Sequence, residues 1–291
     1  MSVRKPIIGA VLFLTACAAI GWFIPHPTQF LPANGSFVYP DSSDTTASVL
    51  SVGEELEYHV SYSFFSVGTI RFRIVDKRID RGRTIYTAQT NIDSNPSLSW
   101  LTDVHVRFFG DMDQRVFSYS WVGEDSSSKS VDVRTMNFDY DNRKLYFSSG
   151  TRFPDGREEV RERDTVPIQS QCQDGMSLFF YARQHCREHR QEHVPTFIEN
   201  KQESTLIAFL DQREPAEIDA VDYPVDAVHF VGRADFVGVY GLTGGFEGWF
   251  SNDEARIPLV ARMKVFLGSI KVQLKSWKHD SWQPPVYVEP K

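Results

Sequence analysis

The run Leu259-Val260-Ala261-Arg262-Met263-Lys264-Val265-Phe266-Leu267-Gly268-Ser269-Ile270-Lys271-Val272-Gln273-Leu274 decides the fold class. Leu259, Ala261, Met263, Val265 and Leu267 recur at every second residue, the period of a strand with one buried face. Ile270, Val272 and Leu274 continue that face after the parity changes at Gly268-Ser269. A two-residue turn accounts for the change: it sets Leu267 opposite Ile270, with glycine at the first turn position supplying φ > 0.

The same period appears elsewhere. Leu56, Tyr58, Val60, Tyr62 and Phe64 alternate with Glu57, His59, Ser61 and Ser63, and Ile70, Phe72 and Ile74 alternate with Arg71 and Arg73. Shorter runs stand at Val104-Val106-Phe108, Val131-Val133, Leu145-Phe147 and across 204–210, and Asp141-Asn142 marks a hairpin turn. Val67-Gly68-Thr69-Ile70-Arg71-Phe72-Arg73-Ile74 matches 267–274 in residue type at every position, through shared hairpin chemistry or an internal pseudo-repeat. One helix is expected, opening near Asp174 as N-cap and carrying Met176, Phe179, Ala182 and Cys186 at spacings of three and four. From 174 to 186 it would be about 18 Å long, whereas bonded cysteines need Cα atoms within about 7 Å, so helix and a Cys172–Cys186 bridge compete. A helix ending by Arg183 before a sharp reversal would still allow the bond to close.

With 41% apolar and 13% aromatic residues in 291, the chain can bury a sizeable core, which excludes global disorder. Its 31 Lys and Arg against 38 Asp and Glu give a net charge of -7 with no dense basic patch, so nucleic acid is not expected as a partner. Arg4 and Lys5 precede an uncharged run, Ile7 to Ile24, with the form of an export signal. Within it Leu14-Thr15-Ala16-Cys17 resembles the lipobox of bacterial lipoproteins, making Cys17 the candidate lipidated residue. The run stays apolar after Cys17, so an uncleaved membrane anchor or an ordinary cleaved signal are the alternatives. Residues 25–50, rich in Pro, Ser, Thr and Asn, read as a flexible tether. The expected organisation is a signal or anchor over 1–24, a tether over 25–50, one β-rich domain over 51–283 and a tail over 284–291. It would stand at the periplasmic side of a bacterial envelope, held to the membrane by its N-terminus.

His185-Cys186-Arg187-Glu188-His189-Arg190-Gln191-Glu192-His193 contains H-x-x-E-H twice in overlap, the pattern of inverted-motif zinc peptidases. A four-residue histidine repeat creates this match, and Pro195 stops a helix just beyond it. His185, His189 and His193 are therefore weak metal candidates on a solvated helix end, where His and Arg complement the helix dipole. No G-x-S-x-G elbow, phosphate-binding glycine loop or dinucleotide fingerprint occurs, and neither catalytic residue nor cofactor is expected. The aromatics Tyr58, Tyr62, Phe64, Phe72, Trp100, Trp249 and Phe250 read by default as core. Of these, Tyr58, Tyr62, Phe72 and Trp249 are the candidates to line an apolar site on the concave side of a half-closed barrel.

Gly53-Glu54-Glu55-Leu56-Glu57-Tyr58 with Val67-Gly68-Thr69, then Asp174-Gly175-Met176-Ser177 with Tyr181 and Arg183, then Gly248-Trp249-Phe250-Ser251 with Asp253, Arg256, Pro258 and Gly268-Ser269, together resemble the bacterial family called domain of unknown function 3108 over roughly 53–277. The resemblance implies an exported β protein, often envelope-anchored, and carries no catalytic residue with it. By fold-level analogy it implies a curved antiparallel sheet or half-open barrel around one packed helix, akin to lipocalins or lipoprotein carriers. A β domain binding an apolar, lipid-like molecule is the expectation, with a structural or assembly lipoprotein that binds an envelope protein as the alternative and a metal-dependent hydrolase behind both.

Overall fold

The computed structural model describes residues 49–63, 65–100, 103–234, 244–264 and 269–289. Cys17 and the expected signal lie outside them, as do Phe64 and Gly268. The strands are β1 (Glu55–Tyr62), β2 (Phe65–Asp80), β3 (Arg83–Ser94), β4 (His105–Asp113), β5 (Ser118–Asp125), β6 (Val131–Asp139), β7 (Lys144–Arg152), β8 (Glu158–Pro167), β9 (Arg190–Ile198), β10 (Lys201–Ala216), β11 (Val225–Ala234), β12 (Gly244–Ser251), β13 (Pro258–Lys264) and β14 (Ser269–Lys278), with one α-helix, α1 (Ser177–His185), between β8 and β9.

All fourteen strands form one antiparallel sheet in the order β8-β7-β6-β5-β4-β3-β2-β1-β14-β13-β12-β11-β10-β9. Two meanders, β1–β8 and β9–β14, are thus joined where β1 pairs with β14, and the strands flanking the α1 segment become the two free edges. The sheet is not closed into a barrel. Buried side chains of β3–β7 (Ala88, Met112, Trp121, Met136, Phe147), of β9–β12 (Val194, Phe209, Phe230, Phe250) and of α1 (Phe180, Tyr181) belong to one core cluster. The sheet therefore bends around α1, as expected of a curved sheet with one packed helix.

Each edge is managed differently. Along β9, Gln173 takes the outer side as a single parallel bridge, its N–H donating to Pro195 O (2.9 Å) and its carbonyl accepting from Phe197 N (2.7 Å). Nearly every residue of β8 is exposed, and Glu158, Glu159, Arg161, Glu162, Arg163 and Asp164 keep this edge charged, which discourages edge-to-edge pairing. The edges approach through side chains at the β9–β10 turn, where Asn200 Nδ2 donates to Glu162 Oε1 (3.1 Å) and Asp164 Oδ2 (3.0 Å).

Asp174 caps α1 as expected: its Oδ1 accepts from Met176 N (2.6 Å) and Ser177 N (3.0 Å), while Ser177 Oγ accepts from Asp174 N (2.8 Å). The helix ends at His185, earlier than the histidine spacing suggests, and the chain re-enters the sheet at Arg190. Cys172 and Cys186 are both free and buried.

Three other expectations need correction. Ile270 faces Met263 and Ser269 faces Lys264, so the partner of Ile270 is not Leu267, which lies outside the described residues. The shared face survives, because Ala261 faces Val272 in the same parity. Gly68 is no turn residue: it lies within β2 between Val60 and Ser94, and a Cβ there would stand 2.4 Å from Asp93 O. The two similar segments flank β1 at different registers, Ile70 facing Tyr58 and Ile270 facing Tyr62, which gives a pseudo-repeat no support. Val49 and Leu50 are buried in the core, and the C-terminal segment is held to β11 by Asp226 N–H donating to Pro285 O (2.7 Å) and Tyr287 N–H to Pro224 O (2.9 Å).

Candidate functional site

The end of the sheet where the chain enters at Val49 holds a buried ion pair. Arg183, near the end of α1, is fully buried and donates from Nη1 and Nη2 to the two carboxylate oxygens of Glu54 (2.6 and 2.8 Å), and from Nε and Nη2 to Ala255 O (3.1 and 2.8 Å). His279 Nδ1 lies 2.8 Å from Glu54 Oε2. Burial works to raise the Glu54 pKa, but the Arg183 charge and hydrogen bonds outweigh it and hold the carboxyl below its ordinary range. The β12–β13 loop is built around Asp253, whose Oδ1 accepts from Ser251 Oγ and from the N–H groups of Ala255 and Arg256, and whose Oδ2 accepts from Trp282 Nε1 (2.7 Å). An open cleft of about 360 Å³ lies beside this cluster, with Val49, Glu254, His279 and Trp282 among its walls. The bidentate pair leaves neither partner much capacity for a ligand, so the arrangement acts as a brace tying the chain entry, the end of α1, the β12–β13 loop and the C-terminal segment. The three pieces that carry the family resemblance all contribute to it, yet no local spacing could pair residues 54 and 183.

Of the four lining candidates, Tyr58 and Trp249 belong to one buried apolar cluster against which Phe72 packs. Phe72 stacks on Phe179 of α1 at 4.3 Å between centroids and meets Tyr58 edge-on at 5.9 Å. Tyr58 is buried and donates its hydroxyl to Pro258 O (3.0 Å). Tyr62 lies on the same face of β1 as Tyr58. Within that cluster, Trp249 lies by strand register on the opposite face of the sheet from Tyr58. It pairs with Val260, Val260 with Gln273, and Gln273 with His59, the neighbour of Tyr58 in β1. There Trp249 donates Nε1–H to Glu214 (2.7 Å), His229 stacks on it at 4.7 Å, and the Arg262 guanidinium lies 4.8 Å from its ring. Meanwhile the concave side contains α1: Met176 Sδ accepts from Thr90 Oγ1 (3.2 Å), and a Cβ on Gly110 would stand 2.3 Å from Met176 Cε.

The histidines also separate. His185 Nδ1 bonds with Glu188 Oε1 (2.7 Å) at the helix end, His189 Nδ1 with Leu210 O (3.1 Å) in the connection, and His193 Nδ1 with Ser204 Oγ (3.2 Å) on β9. Because α1 stops at His185, the one-turn spacing that would bring them to a common metal does not exist. No group of three or more His, Cys, Asp or Glu placed to hold a metal is present among the described residues. Burial pushes the thiols of Cys172 and Cys186 up to about 12, which suppresses the thiolate.

At the end opposite Val49, two aromatics are exposed: Phe65 (58%), first residue of β2, and Trp100 (79%), in the β3–β4 loop. Trp100 is thus no core residue, against expectation. The two segments adjoin, since Asn95 N–H donates to Val67 O (2.9 Å) and Asn95 Nδ2 to Ser66 O (3.1 Å). Beside them His105 bonds Asp93 through Nδ1 (2.8 Å) and Asp103 through Nε2 (3.1 Å), and the Asp93 bond raises its pKa above the ordinary histidine value.

Fold and site together define a mainly β domain: an open, curved antiparallel sheet filled by its own helix and braced at the chain-entry end. The chain belongs to the family described as protein of unknown function DUF3108, whose model matches residues 57–275. Three solved structures are similar. A β-barrel-like protein of domain of unknown function DUF1849 from Brucella abortus is 10% identical, with 81% of this chain and 98% of that one covered and a TM-score of 0.34. A candidate exported protein with a YmcC-like fold from Bacteroides fragilis is 6% identical (79% and 97% covered, TM-score 0.33). A candidate lipoprotein from Parabacteroides distasonis is 9% identical (79% and 96% covered, TM-score 0.30). No curated protein matches.

Proposed function

We propose that the chain is an envelope-held, non-catalytic β domain that works by recognition, docking Phe65 and Trp100 into an apolar pocket of a protein partner at the end away from its tether. The observation that carries this reading is the 79% exposure of Trp100 on a segment that adjoins Phe65, itself 58% exposed. An exposed aromatic pair within a polar rim is the composition of an interface anchor. The rim here includes Asp93 and Asp103, whose charge suits a protein pocket ringed by basic groups better than an anionic lipid surface. The N-terminal charge pattern and Cys17 support anchoring in a bacterial envelope, facing the periplasm.

The apolar-ligand reading placed an acyl chain on the concave side. Packing of Phe72, Phe179 and Met176 there favours the partner reading instead, because a ligand would have to displace α1. Native mass spectrometry of the full chain purified from envelopes tests the choice. The expected result is a complex with a protein partner and no lipid mass, lost in a Phe65→Ser, Trp100→Ser double variant that still folds. A stoichiometric lipid retained by that variant would overturn the proposal and restore the carrier reading.

A further inference from the structure

A second cleft, of about 390 Å³, opens between the β2–β3 and β6–β7 turns. The sheet register lays a polar row across five strands beside it: Tyr146 pairs with Asn137, Asn137 with Ser120, Ser120 with Asp111, and Asp111 with Thr87. Cross-strand partners share a face, so these side chains form one continuous strip. The lining carries three arginines, Arg78, Arg81 and Arg83, and four aspartates, Asp80, Asp111, Asp139 and Asp141.

Those charges are largely committed to one another. Arg78 donates to both oxygens of Asp111 (3.3 and 2.7 Å), which also accepts from Thr87 Oγ1 (2.6 Å) and Ser120 Oγ (3.0 Å). Arg83 lies 3.6 Å from Asp141, and Asp139 accepts from Asn142 Nδ2 (2.7 Å). A strongly charged ligand would have to break these pairs and would meet repulsion from one sign or the other. An uncharged, hydroxyl-rich ligand has no such cost: Asp111 is filled by two donors on each oxygen, but guanidinium groups that already pair still offer N–H bonds, and a carboxylate such as Asp139 still offers lone pairs, at the cleft. Tyr146 is 42% exposed, and its ring gives an apolar platform next to the amide of Asn137, which both donates and accepts. A ring face beside planar hydrogen-bonding groups matches a pyranose, which has an apolar C–H face and an equatorial belt of hydroxyls.

We propose that this cleft and strip bind a neutral saccharide, with Tyr146 stacking on a sugar ring and Asn137 and Asp139 holding its hydroxyls. The surface is distinct from the Phe65–Trp100 end, lying toward the opposite turns of the sheet. The same chemistry serves a free oligosaccharide or a unit within a glycan polymer, and the probes separate these: a panel of uncharged di- to tetrasaccharides, including maltotetraose and chitotetraose, against the corresponding insoluble polymers, starch and chitin. Binding is read by calorimetry and polymer co-sedimentation on the full chain. The expected result is binding of at least one uncharged member, weakened tenfold or more by Tyr146→Ala and by Asn137→Ala and retained in Tyr146→Phe, with thermal stability near that of the parent. Retention only on polymer identifies the glycan-polymer form, and binding of the soluble oligomer identifies the free form. Failure of the whole panel, equal binding by Tyr146→Ala, or preference for a sulfated oligomer with steep salt dependence would overturn the proposal.

Discussion

The end of the sheet where the chain enters and the end farthest from it differ in how their side chains are satisfied. At the entry end, Arg183, Glu54, His279 and Asp253 are woven into hydrogen bonds that join four separate segments. At the far end, Phe65 and Trp100 stand in solvent although the sheet has ample core elsewhere. The contrast teaches where to place rigidity and where to place recognition. Buried, mutually paired charge specifies a unique packing, whereas exposed aromatic surface contributes nothing to folding and is explained by what it touches.

The largest effect that would break this contrast is removal of one member of the brace. Arg183→Met leaves Glu54 buried without its partner and should cost about 3–5 kcal/mol in urea unfolding. Combining it with Glu54→Leu should return much of that loss, because the cost comes from an unpaired charge and not from missing attraction. If the double variant is no better than the single one, the brace is not acting as an ion pair. The pH dependence has a definite sign. Because the folded Glu54 pKa lies below its ordinary value, its contribution is complete above that value and drains away as pH falls below about 4. In the Arg183→Met, Glu54→Leu variant this part of the acid-induced loss should be absent.

A medium effect is expected in the sheet between the two ends. Gly68→Ala forces a Cβ against the Asp93 carbonyl and should cost about 1–3 kcal/mol, read as a lower urea midpoint with unchanged slope. At the far end, Trp100→Ser and Phe65→Ser should each change stability by no more than about 0.5 kcal/mol while abolishing partner capture. A loss of several kcal/mol would mean that these rings support the fold.

The smallest effect concerns His105. Its raised pKa means that its bonds to Asp93 and Asp103 favour the folded state at low pH and lose that benefit as pH rises through the raised value. His105→Gln should therefore remove a slight fall in melting temperature between about pH 6 and pH 8.

Strands, the Asp141-Asn142 hairpin and the Asp174 cap were legible because alternation and capping are local. The register of β13 against β14 was not, because a glycine-serine pair within an apolar run fits reversals of two or four residues equally well by parity. The end of α1 was hidden by a histidine repeat that continues the helical spacing into β9. The faces of Tyr58 and Trp249 could not be compared from sequence at all: they lie on strands brought together only by the closure of β1 onto β14. Arg183 and Glu54 escaped for the same reason, their pairing being a product of the fold.

Position-specific photo-cross-linking in intact envelopes tests the central claim most directly, with the cross-linker placed at residue 100 or at residue 79, an exposed apolar site (68%) at the other end of β2. Recognition at the far end predicts a single protein adduct from position 100 and none from position 79. Equal adducts from both positions, or an adduct from 79 alone, would contradict it.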